Sequence, residues 1–187
     1  ERLMAWLQEL VGDPLIEELP VRFAATAVDL YSGELVVIRR GSLLNAIRAS
    51  IALPGVFAPV AQDGKLLADG GILSTVPVEV ARQLGADFVI AVDVRHDPPR
   101  YAPSRKAIRE RVQWIVRDRL VREDLSRADL VLRPAVGDVG PFEFKKLLHC
   151  IAAGQREARR WLPRLQAVLA GEAEVKEEAR SRKAGQA

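Results

Sequence analysis

TVPVEVARQLGADFVIAVDV, residues 75–94, contains the transition on which the fold class turns. Its first half reads as a helix: Thr75 stands where a cap belongs, Pro77 falls in the first turn, and Gly85 closes the C-terminal end. DFVIAVDV (87–94) follows as a continuous apolar run, the pattern of a strand buried on both faces. A helix leading into such a strand is half of a βαβ unit. The expected class is therefore α/β with a largely parallel sheet.

Upstream, residues 1–10 place Leu3, Leu7 and Leu10 at helical spacing, and Gly12, Pro14 and Pro20 interrupt that pattern. VRFAATAVDL (21–30) and ELVVIRRG (34–41) read as a hairpin joined around Ser32-Gly33. SLLNAIRASIAL (42–53) is a helix with Ser42 as its cap and Leu43, Ile47 and Ile51 on one face. Two short strands around the turn Asp63-Gly64 lead to Asp69. Downstream, RHDPPRYAPS is a loop, residues 105–127 form an Arg-rich helix, and ADLVLRPAV supplies another strand. A long helix from Phe144 to Leu169 is expected to bend near Gly154 or Pro163. Residues 172–187 are charged and free of aromatics, the composition of a disordered tail.

The chain has 187 residues, 49% of them apolar and 28% charged, which suits one soluble globular domain with a continuous core. It opens with Glu1 rather than Met, which reads as a piece of a longer protein. One cysteine, Cys150, excludes an internal disulfide and a multi-cysteine metal site, and fits a reducing, cytosolic setting. The net charge is +3, and the basic excess is local: residues 95–133 carry eleven Lys or Arg against six Asp or Glu. Nucleic-acid binding lacks aromatic interleaving or a zinc spacing to support it. A solvated helix face and attraction to an anionic lipid surface both remain open.

The chemistry is narrow. Cys150 lies in an apolar helical stripe and reads as a buried structural thiol, while His96 and His149 lack any metal-ligand spacing. No phosphate-binding or dinucleotide glycine motif occurs. None of the seven serines (Ser32, Ser42, Ser50, Ser74, Ser104, Ser126, Ser181) has glycines at both positions of G-x-S-x-G, so no nucleophile elbow is present. LLADGGILSTVP (66–77) stands apart, because its apolar run ends at Asp69 and two glycines follow. Asp-Gly is a common turn dipeptide. Equally, a carboxylate at a strand end, unshielded by Gly70 and Gly71, is placed to accept a proton from a hydroxyl nucleophile. The residues alone leave both readings standing.

Four segments change the balance. FAATAVDLYSGELVVIRRG (23–41), LLNAIRASIALPGVFAPV (43–60), GKLLADGGILSTVPVEVARQLGADFVIAVDV (64–94) and GPFEFKKLLHCIAAGQREARRWLP (140–163) resemble, in this order, the patatin-like phospholipase family. The likeness spans roughly Leu19 to Leu169 and is nearest to bacterial members and to the esterase domain of neuropathy target esterase. R-A-S-x-A-x-P-G-x-F-x-P (48–59) upstream of D-G-G is its most specific part.

The resemblance implies a three-layer α/β fold and a lipid acyl hydrolase working through a Ser-Asp dyad, with a lipid ester as substrate and no metal or organic cofactor. The aspartate of the family's D-G-[AG] motif falls on Asp69, the general base, and Gly70 and Gly71 complete the motif. Ser50 matches a family position near the site that is not the nucleophile. The family's glycine-rich oxyanion loop and its G-x-S-x-G are both absent here. Residues 1–171 are thus expected to be the C-terminal portion of a single patatin-like domain without its N-terminal elements. Alone, such a chain should be inactive, with a tendency to self-associate. The resemblance fits a cytoplasmic protein that touches membranes from outside. The alternative is a non-catalytic patatin-like module that binds lipid or a partner.

Overall fold

A computed structural model describes residues 2–95, 104–140 and 143–170. His96, most of the proline-rich loop and the expected tail at 172–187 lie outside the described residues. The chain separates into two compact units, Glu1–Leu84 and Gly85–Ala187.

The first unit opens with helix α1 (Arg2–Val11), where Leu3 and Leu10 of the expected apolar face are exposed. The hairpin follows as β1 (Ala25–Asp29) and β2 (Leu35–Ile38), paired antiparallel with Ala25 opposite Ile38. Helix α2 (Leu43–Ser50) starts at Ser42 as expected: the Asn45 N–H donates to Ser42 Oγ at 3.0 Å. Asp13 reinforces this start, accepting from Ser42 Oγ at 2.6 Å and from the Leu44 N–H at 3.1 Å. Strands β3 (Val60–Gln62) and β4 (Lys65–Asp69) form a second hairpin. Its turn holds Asp63 and Gly64 at φ of 50° and 73°, the left-handed pair that a two-residue hairpin demands. Strand order is β2-β1-β4-β3, antiparallel throughout.

The core of this unit forms where α2 meets the sheet. Ala46 and Ala49 on the helix face Ala25, Ala27 and Leu67 on the strands, with Ile16, Ile38 and Leu43 around them. Small side chains at the centre let the helix lie close to β1, which is buried at all five positions. Helix α3 (Val78–Gln83) ends the unit.

The second unit holds the parallel pairing. Strands β5 (Ile90–Val92) and β6 (Leu130–Leu132) run parallel, Ile90 opposite Leu130, with helix α4 (Arg105–Ser126) lying between them in sequence. The crossover helix of this βαβ unit is α4, whereas residues 75–94 suggest α3 as the helix of such a unit. Helix α5 (Leu147–Leu169) follows a short 3₁₀ turn and runs through both Gly154 and Pro163. Val121 and Leu125 of α4 are buried, as are Ala91, Leu130 and Leu132 of the strands.

The α/β class is as expected, with two corrections of detail. Parallel pairing among the described residues is confined to β5 with β6, because both hairpins of the first unit fold their strands antiparallel. The apolar run 87–94 also does not yield a strand buried on both faces. Ala91 points inward, while Ile90 and Val92 are 44% and 48% exposed. Continuous hydrophobicity signals two apolar faces without ensuring that this chain covers both.

Candidate active site

Asp69 ends β4 beside the central strand β1, where it pairs with Ala27. Its backbone N–H donates to the carbonyl of Ala52 at 3.0 Å, fixing it to the chain just beyond α2. The half-buried side chain then caps a 3₁₀ turn, Gly70–Ile72, and Oδ1 accepts the Gly71 N–H at 2.7 Å. Among the described residues its carboxylate accepts only that bond, which leaves Oδ2 available to another donor.

Both glycines have geometric causes. A Cβ on Gly70 would lie 2.5 Å from the Thr26 carbonyl oxygen and 2.7 Å from its carbon, inside the backbone of β1. A Cβ on Gly71 would lie 2.9 Å from Asp69 Oδ1. The first glycine lets the turn press against the sheet, and the second leaves room for the carboxylate to fold back over it. Neither role needs a positive φ, and neither glycine has one.

Thr75 departs from its expected role. Helix α3 begins at Val78 after Pro77, without a side-chain cap. Thr75 Oγ1 instead donates to the Gly71 carbonyl at 3.1 Å, closing the loop that begins at Asp69. Pro77 therefore precedes the helix rather than sitting inside its first turn.

These residues line a cavity of about 360 Å³ within the first unit, at the small end for a ligand site. Phe23, Ala25, Ile47, Ile51 and Pro77 give it apolar walls, and Thr26, Ser50, Ser74 and Thr75 give it hydroxyls. Ser50 shares this cavity with Asp69. Thr26 and Ser74 carried no functional signal in the sequence, because only the β1–β4 pairing and the turn after Asp69 bring them there.

The buried carboxylate among the described residues of this unit, Asp29, is occupied. It accepts from the Tyr31 N–H at 3.2 Å, Ser32 Oγ at 3.0 Å and the Leu66 N–H at 3.1 Å, tying the β1–β2 turn to β4. Burial pushes its carboxyl up, but the hydrogen bonds from Tyr31, Leu66 and Ser32 more than offset this and hold it below the ordinary value. In the second unit Cys150 is half-buried rather than buried, and His149 is exposed.

Comparison with known proteins bears on the family. The family model described as patatin-like phospholipase matches residues 1–82, nearly the whole first unit. An uncharacterized NTE family protein of Mycobacterium tuberculosis is 36% identical over 180 residues, covering 96% of this chain and 49% of that protein. A second NTE family protein from the same species is 30% identical over 179 residues, covering 82% of this chain and 31% of the relative. A patatin-like phospholipase domain-containing protein of Caenorhabditis elegans is 41% identical over 90 residues, 47% of this chain and 7% of that protein. The chain spans about half the length, or less, of the curated relatives it matches. With the D-G-G turn and its cavity inside the segment that the family model matches, the chain belongs to the patatin-like family.

Proposed function

We propose that Asp69 is the general base of a lipid acyl hydrolase of the phospholipase or lysophospholipase kind. The observation that carries this reading is the Asp69 carboxylate itself. One oxygen is fixed by the Gly71 N–H and the other accepts no hydrogen bond among the described residues, on the wall of a largely apolar cavity. A serine hydroxyl within hydrogen-bond reach of Oδ2 would pass its proton to Asp69 as its oxygen attacks the ester carbonyl. Collapse of the tetrahedral intermediate releases the alcohol, which takes the proton back, and leaves the acyl group on serine. Water then attacks the acyl-enzyme as Asp69 again accepts the proton; collapse frees the fatty acid, and Asp69 returns the proton to the departing serine oxygen. The nucleophile of this dyad is not among the seven serines here, none of which has the elbow motif.

The test compares the native protein and the 187-residue chain on a lysophospholipid and a short-chain ester. In the native protein Asp69→Asn should cut turnover by about 10²–10⁴-fold, the usual contribution of a positioned base. The 187-residue chain should show no turnover above its own Asp69→Asn control. Asp69-dependent turnover by the short chain would defeat the missing-nucleophile argument. The same absence favours a second reading, a patatin-like module that binds lipid without cleaving it. Native protein that binds the ester but never turns it over would support that alternative.

A further inference from the structure

Helix α4 carries two apolar stripes on opposite sides. Val121 and Leu125 form one and are buried. The other is Ile108, Val112, Ile115 and Val116, spaced i, i+4, i+7 and i+8, so they share one face of the helix. All four are exposed, Val112 and Ile115 at 54% and 52%. Helical geometry places Arg105, Arg109, Arg119 and Arg122 on the same half of the cylinder. Arg105, Arg109 and Arg119 are exposed, and Arg122 pairs with Asp118 at 2.8 Å. The acid on that half, Glu123, is 3.1 Å from Arg127.

We propose that this face of α4 docks the protein onto an anionic lipid surface. Branched aliphatic side chains framed by arginines match a layer of acyl chains beneath negatively charged headgroups. Aliphatic burial supplies one attraction and arginine–phosphate bonding the other. No helix among the described residues is long and apolar enough to cross a membrane, so the contact is interfacial. The apolar patch at the start of α5 (Phe144, Leu147, Leu148, Ile151) has no arginine beside it in sequence and only two lysines, Lys145 and Lys146, of which Lys146 is engaged by Asp138 and Glu143. The charge pattern singles out α4. This inference goes beyond the hydrolase reading and stands without it.

The experiment is co-sedimentation of the 187-residue chain with phosphatidylcholine vesicles, with and without phosphatidylglycerol, scored as the vesicle-dependent fraction. Binding should need the anionic lipid and fall at least tenfold between roughly 50 and 500 mM salt as the charges are screened. Val112→Glu with Ile115→Glu should abolish it, and Arg109→Glu with Arg119→Glu should weaken it about tenfold or more. These positions are exposed, and circular dichroism checks that each variant remains folded. Phe144→Glu with Leu148→Glu on α5 should leave binding unchanged. The proposal fails if neutral vesicles bind equally, if the α5 variant loses binding as the α4 variants do, or if no vesicle binds. It also fails if the α4 variants chiefly disperse a dimer without lipid, since the face would then belong to a second copy.

Discussion

At Gly70 the demand is for volume rather than for an unusual backbone angle. Any side chain there collides with the Thr26 carbonyl, which belongs to the buried central strand and has little room to move. Gly70→Ala should therefore cost about 1–3 kcal/mol, the usual range for overpacking a tight site, read as a lowered urea midpoint. An unchanged midpoint would mean that the turn does not press on β1 as the geometry has it. Thr75 offers a finer test, since its hydroxyl holds the Gly71 carbonyl while the Gly71 N–H holds Asp69. Thr75→Val should speed amide exchange at Gly71, and Thr75→Ser should restore it; equal exchange in both variants would remove Thr75 from the positioning of Asp69. The sequence shows the first of these features and hides the second. Asp69-Gly70-Gly71 is legible because turn chemistry is local. Thr75 looks like a helix cap because a hydroxyl ahead of a helix usually is one, and only the 3₁₀ turn brings the Gly71 carbonyl within its reach.

Between elements, the firmest tie in the second unit is a charge network from the end of β5 to α4. Asp93, 6% exposed, accepts from Arg95 Nε at 2.8 Å and Nη2 at 2.7 Å, and Arg95 Nη1 reaches Asp118 of α4 at 2.6 Å. Arg133, just after β6, lies 3.6 Å from the same carboxylate. The Arg95 hydrogen bonds hold the Asp93 carboxyl below its ordinary value against the opposing effect of burial. A folded-state pKa below the unfolded one gives stability that is full above the unfolded value, about 3.9, and is lost as pH falls through the folded value. Asp93→Asn should thus cost about 3 kcal/mol at neutral pH, the low end for a broken buried pair because Arg95 keeps Asp118. The variant should also lose less stability than wild type between about pH 5 and pH 2. Urea titrations at both ends of that range decide it, and parallel acid limbs would show that the pair carries no pH dependence. The sequence gives the strand and the helix that this network joins. It cannot give the network, because Asp93 and Asp118 are brought together only by the parallel crossover.

Over the whole chain, the places where sequence and structure part are mostly apolar residues without cover. Ile90 and Val92 of β5 and the early residues of α5 are all exposed, although their spacing is that of core positions. Periodicity reports which face of an element is apolar; what covers that face is a property of everything packed around it. β5 and β6 also form a two-stranded sheet among the described residues, an arrangement with limited stability of its own and unpaired edges. An apolar strand face beside an open edge favours pairing with another copy, so the 187-residue chain should associate as its concentration rises. Ile90→Thr with Val92→Thr tests this at the strand. Threonine keeps the branching that suits a strand, and both positions are already nearly half exposed, so the melting temperature should hold while association falls. Sedimentation velocity across a concentration series reads the result. A wild-type chain that stays monomeric throughout would refute the expectation. A variant that associates as strongly as wild type would move the contact to another exposed apolar surface, such as the start of α5 or the outer face of α1.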